Sequence, residues 1–282
     1  MKVRLNIVSR WVLFALYLTA LFTLPVAILG KYLGVGLGLV ISATFLLLLQ
    51  WKYEEKIFKK MNLQLLSAAE SPELQNLVKE LSRRLGLKAP RIAKLKSETL
   101  NIAAFGLRKR KTYLVLTEGL LSAANRPQLT ALIGRELTAI WYGDCSLSSW
   151  FAQFLSLVES ISSLPFSSQT NQRKKSHSFS QIIFQMFLVP FTLIPQHLLL
   201  GIRRSINLDL ESLKLTQLPQ ELEESYRLLE ASAARNSLRT HGSFSPLFLV
   251  PPTPVDPIAK LFFYPNLRIN FKPTIEETRE HT

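Results

Sequence analysis

The stretch Ala131-Leu-Ile-Gly-Arg-Glu-Leu-Thr-Ala-Ile140 is an apolar helical segment that carries two adjacent charges, Arg135 and Glu136. In the zinc-binding motif H-E-x-x-H, two histidines lie on one helical face and bind the metal, and the glutamate activates the bound water. Here Glu136 is present, but Arg135 stands at the first histidine position and Ala139 at the second. The segment therefore keeps the helix and the acid of a zinc site without the two histidines.

Upstream of this helix, residues 11–50 carry hardly a charge except Lys31. A helix needs about 20 apolar residues to cross a bilayer, so the run is long enough for two crossings joined by a turn near residues 30–32. A cleaved signal peptide is the alternative interpretation, and it fits less well because a second apolar run follows at once. We therefore predict a transmembrane hairpin over residues 11–50.

Basic residues flank this run on both sides and predict its orientation. They are Lys2, Arg4 and Arg10 before the first crossing and Lys52, Lys56, Lys59 and Lys60 after the second. By the positive-inside rule both ends lie in the cytoplasm or an equivalent space such as the stroma. We expect an integral protein of the plasma membrane, or of an equivalent membrane such as the thylakoid, with its folded domain on that side. The single cysteine, Cys145, excludes an internal disulfide framework and suits a reducing compartment.

The formal net charge of +14 raises the question of a nucleic-acid partner. The basic residues flank apolar segments and lack the aromatic interleaving typical of nucleic-acid surfaces, so we expect no nucleic acid. Attraction to anionic lipid headgroups explains the charge more simply.

Beyond the hairpin, the patterns of apolar residues predict a mainly helical α+β fold with a small sheet. We expect a helix over 71–85 that Gly86 closes, a buried strand over 112–117 and a helix over 126–142. The expected organisation is a hairpin with basic flanks (1–60), a first half-domain (61–145), an apolar, membrane-associated helical insert (146–202), a second half-domain (203–270) and a disordered tail (271–282). Within the insert, 146–163 is amphipathic, and the sequence leaves open whether 146–166 and 181–202 cross the bilayer.

Several runs in a fixed order, between about residue 71 and residue 261, carry a family resemblance. They include Ser71-Pro-Glu-Leu-Gln-Asn-Leu-Val-Lys-Glu-Leu81, Asn101-Ile-Ala-Ala-Phe-Gly106, Leu114-Val-Leu-Thr-Glu-Gly-Leu-Leu121 and Gln128-Leu-Thr-Ala-Leu-Ile-Gly-Arg-Glu-Leu137. Together they resemble the HtpX-like family of membrane-embedded zinc metalloproteases, relatives of the CAAX prenyl proteases. The resemblance implies a gluzincin-like fold, a substrate cleft bordered by a strand that starts near Asn101 and Gly106, and an acidic residue at Asp144.

The resemblance also implies where a third metal ligand should lie. The family's ligand is a glutamate in a run similar to S-R-x-R-E-x-x-A-D, and aligning this run with Ile202–Glu211 puts Asn207 at the ligand position. Glu211 then falls at the acid one helical turn later. All three ligands of the family are thus replaced, by Arg135, Ala139 and Asn207, and asparagine is a poor zinc ligand. We therefore predict that the zinc of the family is lost and that the chain has no cofactor.

A zinc site built from other residues is not favoured by the sequence. The four histidines are His177, His197, His241 and His281, and no two of them are spaced i, i+4. Cys145 has no cysteine or histidine partner at ligand spacing, so we expect an inert buried thiol. Without a metal, the alternative interpretation of Glu136 is an ordinary helix glutamate that is solvated or paired with a cation.

These features favour a pseudopeptidase that binds membrane-protein clients, or an active paralogue, in quality control or assembly. A cleft strand needs no metal to pair with a client strand through backbone hydrogen bonds. Two alternatives stay open: an active metalloendopeptidase with unconventional ligands, and a structural subunit of a membrane complex with the old active site packed shut.

One geometric expectation follows from the loss of the metal. Removing a dication leaves acidic residues without a partner, which is costly in a buried site. We therefore predict that the guanidinium of Arg135 bridges to Glu211 or to the side-chain oxygen of Asn207, with Glu136 a less favoured partner.

Overall fold

The computed structural model describes residues 2–50, 53–67, 69–162, 202–235, 238, 240 and 242–251. The helices are α1 (Lys2–Gln50), α2 (Tyr53–Met61), α3 (Pro72–Arg84), α4 (Glu118–Ala123), α5 (Arg126–Tyr142), α6 (Asp144–Ser162), α7 (Ile202–Thr216) and α8 (Pro219–Arg235), with a short 3-10 helix at Gly242–Leu247. The strands are β1 (Leu63–Leu65), β2 (Arg91–Leu95), β3 (Ile102–Arg108) and β4 (Lys111–Thr117). The predicted tail over 271–282 and most of the insert lie outside the described residues.

The four strands form one mixed sheet in the order β1-β2-β4-β3. Strand β2 pairs with β4 in parallel, whereas β1 with β2 and β3 with β4 are antiparallel. Side chains alternate between the two faces of a strand, and in β4 both faces are buried. Leu114 and Leu116 pack with α3, α5 and α8, while Tyr113 and Val115 pack with α2 and the 3-10 helix. The sheet is therefore the central layer of the domain, and α5 lies on one of its faces.

Helix α1 is mostly apolar after Arg10, and its two halves lie side by side. The rings of Phe22 and Phe45 have centroids 4.5 Å apart, whereas a straight helix would separate these residues by about 35 Å. Gly38 faces the backbone of Thr23 so closely that a Cβ there would lie 2.6 Å from the Thr23 Cα. The segment Ile7–Ile28 is long and apolar enough to cross a membrane, and Tyr32–Leu47 is a shorter apolar helix.

Helix α6 packs against the first half of α1, as expected for an amphipathic helix that meets another helix. Three edge-to-face aromatic pairs join them, with ring centroids 6.2–6.4 Å apart: Trp11 with Trp150, Phe14 with Phe151, and Tyr17 with Phe154. The polar face of α6 is also buried, since the Ser149 hydroxyl accepts a hydrogen bond from the Gly106 amide of β3 at 2.9 Å. Helix α6 therefore connects α1 to the sheet.

Helices α5 and α7 approach each other closely at Gly134. A Cβ atom at this position would lie 2.2 Å from Cγ2 of Thr216. Only a residue without a side chain fits there unless Thr216 moves. This close approach brings the face of α5 that carries Arg135 against α7.

Replacing Gly134 with alanine is therefore expected to destabilise the domain by about 1–3 kcal/mol, the usual cost of overpacking. Thermal unfolding in mild detergent would measure the loss. The matched second change is Thr216→Ser, which removes the clashing methyl and keeps the hydroxyl that donates to the Ser212 carbonyl at 3.0 Å. The double variant should recover most of the stability. A Gly134→Ala protein that melts like the native chain would contradict the close approach.

Candidate functional site

Helix α5 places the two charges of the degenerate motif, and its ends are well defined by the sequence. The Asn125 side chain accepts a hydrogen bond from the Gln128 amide, and the Gln128 side chain accepts one from the Asn125 amide. This reciprocal capping box satisfies amides that would otherwise lack partners at the start of the helix. At the other end Gly143 adopts φ 84°, a left-handed conformation that favours glycine. The predicted bounds of this helix, 126–142, match the structure.

Arg135 is buried, with 8% of its surface exposed, and its guanidinium is surrounded by polar partners. Its Nη1 donates to Glu136 Oε1 at 2.8 Å, and its Nε donates to Asp209 Oδ1 at 3.2 Å. Its Nη2 lies 3.3 Å from the Ser205 hydroxyl, which accepts a third hydrogen bond. Arg135 thus connects α5 to α7 through the Asp209 carboxylate and the Ser205 hydroxyl, and it also bonds Glu136 of its own helix.

A third helix joins this cluster through Tyr226 of α8. The Tyr226 hydroxyl donates to Asp209 Oδ1 at 2.9 Å, so the same oxygen accepts from both Tyr226 and Arg135. Burial raises the pKa of Tyr226 well above its usual value, and the negative charge of Asp209 raises it further. The hydroxyl therefore keeps its proton near neutral pH and donates to Asp209.

The buried cluster shifts the pKa values of Arg135 and Asp209, and each shift has identifiable causes. Burial by itself would lower the pKa of Arg135, but Tyr226, Glu136 and Asp209 oppose it, and the pKa lies well above the usual value. Burial raises the pKa of Asp209, while Arg135 and Tyr226 act in the opposite direction. The guanidinium is therefore a permanent cation among two buried acids.

The predicted partners of Arg135 are wrong in two respects. Glu136 is a direct partner rather than the less favoured one, and the acid from α7 is Asp209 rather than Glu211. Glu211 instead pairs with the exposed Lys214 at 2.9 Å. Burial, followed by the nearby Glu211 carboxylate, raises the pKa of Tyr142 to about 12. Asn207 lies between these two faces of α7, and among the described residues the hydrogen-bond partners of Arg135 are Asp209, Glu136 and Ser205.

The physical reason is the register of α7. Residues four apart share one face of a helix, and the face toward Arg135 carries Ser205 and Asp209. Moving the S-R-x-R-E-x-x-A-D pattern by two residues puts Arg204 at the arginine before the ligand, Ser205 at the ligand glutamate and Asp209 at the final acid. This second register agrees with the contacts of Arg135 to Ser205 and Asp209. The first register chose Asn207 and Glu211, which do not lie on the face of α7 toward Arg135. In this second register Ser205, rather than Asn207, would stand at the position of the third ligand.

The residues at this site do not fit a zinc ion. Arg135 is a cation at the first ligand position, Ala139 is a buried methyl one turn later, and Ser205 offers only a hydroxyl already bonded to Arg135. The two nearby carboxylates are both engaged by the guanidinium. Among the described residues, no group of three or more His, Cys, Asp and Glu side chains could bind a metal. All four histidines lie outside the described part of the chain, and Cys145 is a buried free thiol.

Strand β3, which follows Asn101, is an edge strand of the sheet, and other parts of the chain contact its outer edge. The Asn101 amide nitrogen donates to the Val250 carbonyl at 2.6 Å, and its oxygen accepts from the Ile102 and Val250 amides. The Leu249 amide donates to the Ile102 carbonyl at 2.9 Å. At Gly106 the backbone amide is bonded to Ser149. Asn101 is therefore a clamp that fastens residues 248–250 along β3.

Asp144 is buried at the start of α6, with Nη1 of Arg10 lying 3.8 Å from its Oδ1. The structure assigns it to the junction between α1 and α6 and gives no contact between it and Arg135. Three residues of the cluster, Ser205, Asp209 and Tyr226, were not singled out from the sequence. The spacing of Ser205 and Asp209 was a usable signal for two of them, whereas nothing local marks Tyr226.

Comparison with known proteins finds a family and several relatives that match this chain. The model of peptidase family M48 matches residues 68–241. The "Protease HtpX homolog" of Acaryochloris marina is 26% identical over 240 residues, which cover 83% of this chain and 80% of that protein. The one from Thermococcus kodakarensis is 35% identical over 99 residues, or 35% of this chain and 34% of that protein.

Among solved structures, S. mikatae Ste24p superposes with a TM-score of 0.46 at 14% identity, over 94% of this chain and 63% of its own. The family match spans more than half of the 282 residues, and it contains β2, β3 and β4 together with α3, α5, α7 and α8, but not β1. The chain therefore belongs to peptidase family M48.

Proposed function

We propose that this chain is a catalytically inactive, membrane-associated member of its family that acts by binding other membrane proteins. The observation that carries the proposal is the buried guanidinium of Arg135, which is bonded to Glu136, Asp209 and Ser205. Zinc proteases depend on the metal to lower the pKa of its bound water to about 7. Neither Glu136 nor the rest of this cluster can replace that effect, because Glu136 is already neutralised by Arg135.

The closed edge of β3 bears on how a partner would bind. A client strand could add to β3 only by displacing residues 248–250, whose side chains are buried in the core. This supports a partner that binds outside the old cleft, as in the interpretation of the chain as a subunit of a membrane complex. An active paralogue of the same family is one such partner. The alternative of an active endopeptidase with unconventional ligands has no supporting donor set among the described residues.

One experiment tests the proposal: purification of the tagged full chain in mild detergent, with partners, zinc and proteolysis of casein measured on the same sample. The expected result is co-purifying membrane protein, no stoichiometric zinc and no casein cleavage. About one zinc per chain, together with activity that is abolished both by a chelator and by Glu136→Gln, would overturn it. Weak activity that resists both treatments would be assigned to a contaminant.

We also propose that α1 crosses the bilayer twice as a hairpin, with the folded domain on the cytoplasmic or stromal side. Its side-by-side halves and the apolar surface of Ile7–Ile28 support the crossing, and the basic flanks support the orientation. Reporter domains fused after Lys60 are expected to behave as cytoplasmic. A reporter that is active only in an oxidising, extracytoplasmic compartment would reverse the orientation.

A further inference from the structure

The turn between β3 and β4 is the most basic segment of the described chain outside the α1 flanks. It consists of four consecutive cations, Arg108, Lys109, Arg110 and Lys111, and all four are exposed. We call these residues the basic turn. Nothing in the degenerate zinc site requires them, since the turn lies at the far end of the strands from Asn101.

Two contacts place the basic turn beside both ends of α1. Lys111 Nζ forms an ion pair with Glu54 at 2.7 Å, and Glu54 lies in α2, only four residues after the end of α1 at Gln50. Lys109 Nζ donates to the Trp141 carbonyl at 2.6 Å. Three residues after Trp141, Asp144 meets Arg10 near the start of the apolar segment Ile7–Ile28. The basic turn is therefore tied to the level at which α1 begins and ends.

The charges of the basic turn are matched only in part. Glu54 is the partner of Lys111, and its hydrogen bond and negative charge raise the pKa of that lysine. Within the described residues, no carboxylate forms an ion pair with Arg108 or Arg110. Next to these cations Trp141 leaves 43% of its surface exposed, an unusual exposure for tryptophan at the end of a buried helix. The patch thus combines excess positive charge with an exposed aromatic ring.

We propose that the basic turn and Trp141 form a binding surface for anionic lipid headgroups that holds the folded domain against the membrane. Tryptophan is enriched where the bilayer meets water, because its ring is apolar and its N–H is polar. Arginine and lysine near a membrane surface are attracted to anionic lipids over a distance set by salt. The surface lies at the level of the helix ends, which is where headgroups are found. The occupant is the lipid surface that surrounds α1 itself.

The full chain in nanodiscs provides the test. Nanodiscs would contain phosphatidylcholine and phosphatidylglycerol, with bromine on the acyl chains of one or the other, and tryptophan fluorescence would report which lipid is adjacent. Subtracting the signal of a Trp141→Phe variant isolates Trp141 from the other three tryptophans. Trp141 is expected to be quenched more strongly by the brominated phosphatidylglycerol, and this preference should weaken as salt is raised. The double variant Arg108→Gln/Arg110→Gln should reduce the preference roughly tenfold or more.

A charge-matched control is Lys79→Gln/Arg83→Gln, which removes two exposed cations from α3 and should leave the preference unchanged. Equal quenching by both brominated lipids would place Trp141 at the membrane but overturn headgroup recognition. Absence of quenching by either lipid would overturn the proposal entirely and leave the patch to an acidic protein. Neither result depends on the zinc content or the partners of the chain, so the test is independent of the proposed function.

Discussion

Replacing Arg135 with alanine is expected to lower the stability of the protein by about 3–5 kcal/mol, the usual cost of removing one partner from a buried ion pair. The loss arises because Glu136 and Asp209 would remain buried as two carboxylates without their cation. In mild detergent this should appear as a melting temperature lower by on the order of 10 °C. The effect is large because one guanidinium makes contacts to two acids and a hydroxyl.

Two controls separate this effect from a general sensitivity to mutation. Arg83→Ala removes an exposed arginine and should change stability by no more than about 0.5 kcal/mol. The triple variant Arg135→Met/Glu136→Gln/Asp209→Asn removes the cation and both acids together, and it should recover most of the stability. An Arg135→Ala protein with unchanged melting would show that the guanidinium is not a structural bridge.

Introducing two histidines on α5 and a glutamate on α7 is expected to restore zinc binding when the glutamate is at position 205, but not when it is at position 207. The variant Arg135→His/Ala139→His/Ser205→Glu would place two histidines four residues apart on α5 and a carboxylate opposite them, the ligand set of a catalytic zinc site. Asp209, which now bonds Arg135, would be positioned to accept a hydrogen bond from the new histidine at 135 and orient its ring. We expect about one zinc per chain by elemental analysis of the purified protein.

The matched comparison is Arg135→His/Ala139→His/Asn207→Glu, which differs only in the position of the carboxylate. Because Asn207 is turned away from Arg135, this variant should bind zinc more weakly by one to two orders of magnitude or not at all. Stronger zinc binding by the 207 variant would contradict the register seen in the structure. A 205 variant that is folded but free of zinc would show that the two helices are too close for a metal.

Local sequence patterns were sufficient to predict a helix or strand where the segment contains its own capping residues or a characteristic composition. The bounds of α5 follow from Asn125, Gln128 and Gly143, each of which satisfies or ends the helical hydrogen-bond pattern without help from distant residues. Strand β4 was recognisable because β-branched and aromatic residues fill a segment that is buried on both faces. The family runs then placed α3, β4 and α5 in order. The short strand β1 was missed, since three residues give too little pattern.

The site was harder to predict because its geometry depends on contacts between distant segments. The apolar pattern of α7 fixes its buried side only to within one or two residues, and a shift of two residues separates Asp209 from Glu211. Asp209 and Glu211 each lie four residues after a candidate ligand position, Ser205 or Asn207. Only the packing of α5 against α7 at Gly134 and Thr216 decides which acid contacts Arg135. Likewise, the closure of the β3 edge joins Asn101 to Val250, 149 positions along the chain. Neither of these long-range contacts produces a pattern in the neighbouring sequence from which it could be predicted.

The aromatic pairs between α1 and α6 have a consequence for the order in which the chain is made. Tyr17 leaves the ribosome before Phe154 by 137 positions, so at the usual 5–20 residues per second its partner follows on the order of ten seconds later. During that interval the first apolar segment can enter the bilayer and exchange lipid contacts for those of the arriving helix. During synthesis, lipid therefore covers the α1 surface that later contacts α6. In a chain that lacked its first helix, the surface around Phe151 would be exposed to other proteins instead.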